Sequence, residues 1–96
     1  MNQRISNLRN KMKAQNLKAV LINNLKNVYY LTNFWGSNGT ALVTEERVVL
    51  FTDSRYTIHA HATCFPFVEI VETRDELTAA AEIVKDLGIK ELGFED

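Results

Sequence analysis

The stretch "KAVLIN", Lys18 to Asn23, places four apolar residues in a row from Ala19 to Ile22. A strand with one wet face alternates apolar and polar side chains, whereas a short unbroken apolar run fits a strand covered on both faces. Such a strand needs a sheet with helices on either side, and the flanking sequence supplies candidates for both. Ile5, Leu8 and Met12 recur at helical spacing among basic and amide residues, which predicts an amphipathic helix from Asn2 to Gln15 with Asn16 as its left-handed stop. Asn24 is placed to cap a short helix carrying Leu25, Val28 and Tyr29 on one face.

Further along, "TALVT" and "RVVLFT" are β-rich runs separated by Glu45 and Glu46, an antiparallel hairpin without the usual Asn-Gly turn. A helix is expected after "TDSRY", capped by Asp53 or Ser54 and running to about Ala62. Pro66 breaks the chain, and "FVEIVET" then alternates as a strand does. Thr73 and Glu76 have capping-box spacing, and Leu77, Ala80, Ala81, Val84 and Leu87 form an apolar stripe that Gly88 can end. A last strand, "ELGFE", brings the chain to Asp96 with no closing helix or polar tail, so a fragment of a longer protein is expected. The order predicts one α/β domain, a mixed β-sheet sandwiched by helices.

The composition narrows the function classes. Eleven basic and twelve acidic residues give a formal charge of −1, with no block of like charge, so nucleic acid is not an expected partner. "MNQRISNLRNKMK" is polar and basic without an apolar segment behind it, neither a signal peptide nor a membrane span, which points to a cytoplasmic protein. Cys64 is the single cysteine; it allows no intrachain disulfide or cysteine-based metal site and is expected to be a buried small apolar residue.

Several residues invite chemistry. His59 and His61 form an H-x-H pair, but two residues apart on a helix their imidazoles point about 200° apart, so half-buried or solvated helix positions are expected rather than a metal. "GSNG", Gly36 to Gly39, lacks the positive charge of a nucleic-acid loop and the Lys-Ser or Lys-Thr pair of a phosphate cradle; its glycines are expected to permit a tight turn. Ser54 has no histidine closer in sequence than His59 to act as its base, so helix capping with Asp53 is the expected role of both. Arg55 stands at the positive end of the expected helix, where it does not satisfy the dipole. It serves either an anion or carboxylate ligand, or a surface ion pair with a nearby acid. Phe34 and Trp35 lie together in a loop, where large rings cap the core or meet a ligand or partner, the two roles standing equal.

The order "KAVLINNLKNVYYLTNFWGSNGTALVT" followed by "VVLFTDSRY" resembles the N-terminal domain of the creatinase and prolidase family, above all bacterial Xaa-Pro dipeptidases and proline-specific aminopeptidases. The shared pattern is N-x-x-Y-L-T-x-F-x-G-S-x-G, which Asn27 to Gly39 follow, and F-T-D-x-R-Y, which Phe51 to Tyr56 follow. The resemblance implies ribonuclease-H-like topology here and a pita-bread metallopeptidase domain downstream, with two divalent metals, manganese in many relatives, activating a water against the bond before proline. It assigns no catalytic residue and no metal ligand to this chain. It further implies a homodimer in which this domain closes over a cleft for proline-containing peptides, with Phe34, Trp35, Arg55 and Tyr56 as the substrate-pocket or inter-subunit wall. The alternatives it leaves are a standalone or metal-less interaction module and a domain of a creatinase-like hydrolase.

Overall fold

The computed structural model describes residues 3–95. Strands Ala19–Ile22 (β1), Thr40–Thr44 (β2) and Val48–Thr52 (β3) form an antiparallel meander in which every residue is buried. Thr44 makes the hairpin turn that Asn-Gly would otherwise make: its hydroxyl accepts from the N–H groups of Glu46 and Arg47 at 3.3 and 2.9 Å, a side-chain substitute for backbone turn bonding. Val68–Glu72 (β4) runs parallel beside β3 and Gly93–Glu95 (β5) parallel beside β1, giving one mixed sheet of order β4-β3-β2-β1-β5. The mixed sheet between helices is thus present, and the meander with a parallel strand beside β1 is its ribonuclease-H-like part.

Strand alternation divides the core in two. Val20, Ile22, Ala41, Val43, Val48 and Leu50 face helices Gln3–Ala14 (α1), Leu25–Thr32 (α2) and Thr57–Thr63 (α3). Leu21, Leu42, Val49 and Phe51 face helix Glu76–Asp86 (α4). Both faces of the central strands are dry, which is why "AVLI" shows no alternation. Helix α1 ends where expected, with Asn16 at φ 58°; the expected first residue, Asn2, lies outside the described residues.

Two helix faces differ from expectation. Asn24 caps α2, accepting from Lys26 N at 3.0 Å and Asn27 N at 3.4 Å, but the buried set is Val28, Leu31 and Thr32, while Leu25 and Tyr29 are exposed. Thr32 can enter the core because its hydroxyl donates to Val28 O at 2.6 Å, so that hydroxyl is not left unpaired by burial. In α4 the N-cap is Asp75, whose carboxylate accepts from Thr78 N at 3.1 Å. Thr73 instead accepts from Asp75 N, and Glu76 receives the Thr40 hydroxyl. The buried face of α4 is Ala80 and Val84 with Ala79 and Ile83 beside them, leaving Leu77, Ala81 and Leu87 exposed. Two stripes sharing Ala80 and Val84 were available on this helix, and packing on the sheet selects the one with the β-branched Ile83.

Leu50→Ala is expected to lower unfolding free energy by about 2–5 kcal/mol, as a fully buried leucine does. Leu77→Ala, from the stripe that stays exposed, is expected to shift it by no more than about 0.5 kcal/mol. Urea titration of the two variants checks this, and a larger loss at Leu77 would mean that α4 packs through the other face.

Candidate functional site

The loop after α2 and the turn after β3 meet at one end of the interior strands β2 and β3, an edge of the domain. Asn33 leaves the helix with φ 70°, a left-handed conformation that a short carboxamide tolerates, and its Nδ2 donates to Thr63 O at 2.8 Å, which ties the loop to the end of α3. The chain then turns inward. Phe34 is 1% exposed, with its N–H donating to the Thr32 hydroxyl at 3.1 Å.

Gly36 and Gly39 sit over the Phe34 ring. A Cβ on Gly39 would lie 2.8 Å from Phe34 Cε2, and one on Gly36 would run into Cζ of the same ring. Neither glycine has left-handed φ. The chain bends over residues 36–38, and the glycines of "GSNG" also serve close approach of backbone to an aromatic ring. Phe34 meets Tyr56 edge-on at 6.0 Å between centroids and His59 at 5.8 Å, both within the favourable range for T-shaped pairs.

The two loop rings have opposite fates. Phe34 joins the core, whereas Trp35 is 65% exposed and stands at 89° against His59 with centroids 4.3 Å apart. His59 is held between Phe34 and Trp35, and its Nε2 is buried without a hydrogen-bond partner among the described residues. It is half-buried, as expected, while His61 is exposed. Among the described residues no group of three or more His, Cys, Asp or Glu is arranged to hold a metal ion. Cys64 is half-buried rather than buried, packed against the core; burial pushes its thiol up to about 11, which keeps it protonated at neutral pH.

The segment "TDSRY" departs from the expected helix cap. Helix α3 begins at Thr57 with Tyr56 at the cap position and no side-chain cap bond. Asp53 and Ser54 lie one turn earlier, where Tyr56 N–H donates to Asp53 O at 3.0 Å and Asp53 Oδ1 accepts from Arg55 N at 2.9 Å. Asp53 thus bonds its own backbone two residues on, the Asx-turn use of an aspartate, which competes with helix capping for the same oxygen. Arg55 closes on the same carboxylate, Nε to Oδ1 at 3.0 Å and Nη2 to Oδ2 at 2.9 Å. Asn38 donates to Oδ2 at 2.7 Å from the facing loop. Arg55 therefore forms the local ion pair, one of its two expected roles, and its side chain remains 69% exposed, with Nη1 outside the pair.

These contacts hold the Asp53 carboxyl well below the usual carboxylate range, the Arg55 hydrogen bonds first and Asn38 next. Ser37 and Tyr56 hydroxyls pair directly, completing the tie between loop and turn. Phe34 with Tyr56 and Asp53 with Arg55 are thus brought together, while Trp35 packs on α3. His59 and Asn38 were not anticipated as members of this edge. His59 lies three residues after Tyr56, the spacing of neighbours on one helix face, so its place was accessible to pattern; nothing local pointed to Asn38. The set presents rings and a salt-bridged guanidinium, an arrangement suited to contact with a partner or ligand.

Because the folded-state pKa of Asp53 is depressed, its contribution to stability is fully present above the ordinary aspartate value and is lost as pH falls through the folded value. The stability difference between the protein and Asp53→Asn is expected to stay constant from pH 7 to about 5 and to narrow below about 4. Urea titrations across that range read it, and a gap that persists unchanged in strong acid would show that the carboxylate charge is not what holds the turn.

Residues 4–96 match the family model described as the creatinase/prolidase N-terminal domain. Over 93 residues the chain is 37% identical to an uncharacterized peptidase, YqhT, of Bacillus subtilis, covering 96% of this chain and 26% of that protein. An XXA-pro aminopeptidase structure from Streptococcus pyogenes superposes with TM-score 0.91 at 44% identity, over 98% of this chain and 72% of the other. The N-terminal domain of the cytoplasmic peptidase PepQ from Mycobacterium tuberculosis H37Rv superposes with TM-score 0.92 at 38% identity, over 99% and 74%.

Proposed function

The chain belongs to the creatinase/prolidase N-terminal domain family, and from that membership we propose that it is the non-catalytic domain of a proline-specific metallopeptidase, an Xaa-Pro dipeptidase or aminopeptidase. Its work there is to support a homodimer and to close the cleft that holds a proline-containing peptide. The chain spans 26% of the length of the Bacillus subtilis relative, which leaves room in a parent protein for a pita-bread catalytic domain. Two divalent metals, manganese in this reading, supply that domain with a hydroxide nucleophile at neutral pH. The side chains of the present chain do not fit such a site, since no cluster of three metal-binding groups occurs among the described residues; their part is binding and closure. A cytoplasmic setting accords with the name of the Mycobacterium tuberculosis relative, and no helix among the described residues is long and apolar enough to cross a membrane.

One observation carries the proposal: Trp35 is largely exposed yet braced by His59, which in turn rests on Phe34. An exposed ring braced by its neighbours, in the same group of residues as a largely exposed arginine side chain, is the kind of surface that excludes water from a peptide and pairs with its carboxylate. Proline release from an Xaa-Pro dipeptide with manganese is expected from the parent protein and not from this 96-residue chain. In the parent, Trp35→Ala and Arg55→Ala are each expected to lower kcat/KM by about tenfold with little change in melting temperature. An unchanged kcat/KM in both variants would remove this edge from the substrate cleft, and no proline release from the parent would refute the peptidase assignment.

A further inference from the structure

The charge of −1 conceals a segregation. All twelve acidic residues lie from Glu45 onward, while Arg4, Arg9, Lys11, Lys13, Lys18 and Lys26 precede it with no acid among them. Folding turns this sequence asymmetry into a spatial one. Helices α1 and α2, free of acidic residues, cover one face of the sheet, and α4, with Glu76, Glu82 and Asp86, covers the other. The absence of a contiguous basic block in the sequence hides this, because lysines and arginines along α1 alternate with Ile5, Leu8 and Met12.

Between α1 and α2 lies an open cleft of about 520 Å³ lined by Arg4, Asn7, Asn10, Lys11, Asn27 and Tyr30, with Leu8 and Leu31 at its floor. That volume is in the range of small-molecule sites, and no carboxylate among the described residues lines it. Arg4 is set in place, its guanidinium carbon 4.4 Å from the Tyr30 ring centroid and its Nη1 donating to Tyr30 O at 2.9 Å. Gln3 Nε2 donates to Asn7 Oδ1 at 2.9 Å, which occupies one lone pair of that oxygen and leaves the Asn7 N–H₂ group as a donor for the cleft. Guanidinium, ammonium and carboxamide N–H groups together form a wall dominated by donors, which calls for a ligand rich in acceptor oxygens.

The spacing narrows the ligand. Arg4 and Lys11 stand seven residues apart on one face of α1, about 10 Å along the axis. A lone carboxylate or orthophosphate meets both only if the two side chains bend towards one point, whereas oxyanions joined in a chain span the separation. We propose that the α1–α2 cleft binds a small molecule carrying linked phosphates, with Arg4 and Lys11 gripping successive groups and Asn7 and Asn10 donating between them. The site lies on the helical face rather than at the Trp35 loop and is independent of the peptidase reading.

The test is titration of the 96-residue chain with inorganic tripolyphosphate, adenosine triphosphate and orthophosphate at low ionic strength, followed by amide chemical shifts. Saturable binding of tripolyphosphate, with shifts centred on residues 4–11 and on Asn27 and Tyr30, is expected, and orthophosphate is expected to bind more weakly. Equal affinity for tripolyphosphate and adenosine triphosphate supports a phosphate-chain site, and tighter binding of the nucleotide supports the same site with a nucleotide as its source. Lys11→Glu, a helix-compatible change at an exposed position, is expected to weaken binding by about tenfold or more, whereas Lys85→Gln on α4 is expected to leave it unchanged. No saturable binding, shifts scattered over the whole surface, or equal loss in both variants would overturn the proposal.

Discussion

The Phe34 ring is buried although it belongs to a loop, and the functional edge is assembled around it. Its backbone N–H is received by Thr32, which the core can accept only because that hydroxyl also donates back to Val28 O. Two glycines let the loop backbone close over the ring, and Tyr56 and His59 meet its sides. Loop, turn and α3 therefore share one apolar anchor. Removing area from water is what makes such an anchor hold, and the ring's fixed position is what lets the next residue, Trp35, stand out from the surface in a defined orientation.

Around that anchor the polar contacts give direction more than strength. Asp53 takes the backbone N–H and guanidinium of Arg55 from its own turn and the carboxamide of Asn38 from the facing loop. The arginine side of the pair is solvent-facing, where salt weakens it and its net worth is small, but four hydrogen bonds from three groups on one carboxylate fix where the turn ends and α3 begins. The same economy applies to the whole surface: near neutrality overall coexists with a cationic α1–α2 face and an acidic α4 face, because the sheet keeps the two helical layers apart.

Much of the architecture was legible in the residue pattern. The "AVLI" run, the hairpin, the Asn24 cap and the left-handed Asn16 and Gly88 each follow from local chemistry and appear as expected. The choice between overlapping stripes on α4 was not legible, since Ala80 and Val84 belong to both. Nor was the burial of Thr32, because a polar letter in sequence does not reveal that its hydroxyl will be satisfied within its own helix.

At the edge, pattern located the neighbourhood but not the roles. Phe34 and Trp35 are adjacent aromatic residues, and only the position of the sheet beneath decides that one is core and the other surface. Asp53 could cap a helix or close a turn, and the arrival of Asn38 and Arg55 decides for the turn. The sequence by itself determined what is local: element order, the Asn24 cap, the two dry faces of the central strands and the division of charge along the chain. Tertiary structure alone decided which ring is hidden, which helix face is used and which donors converge on one cleft, because each depends on distances between segments far apart in the chain.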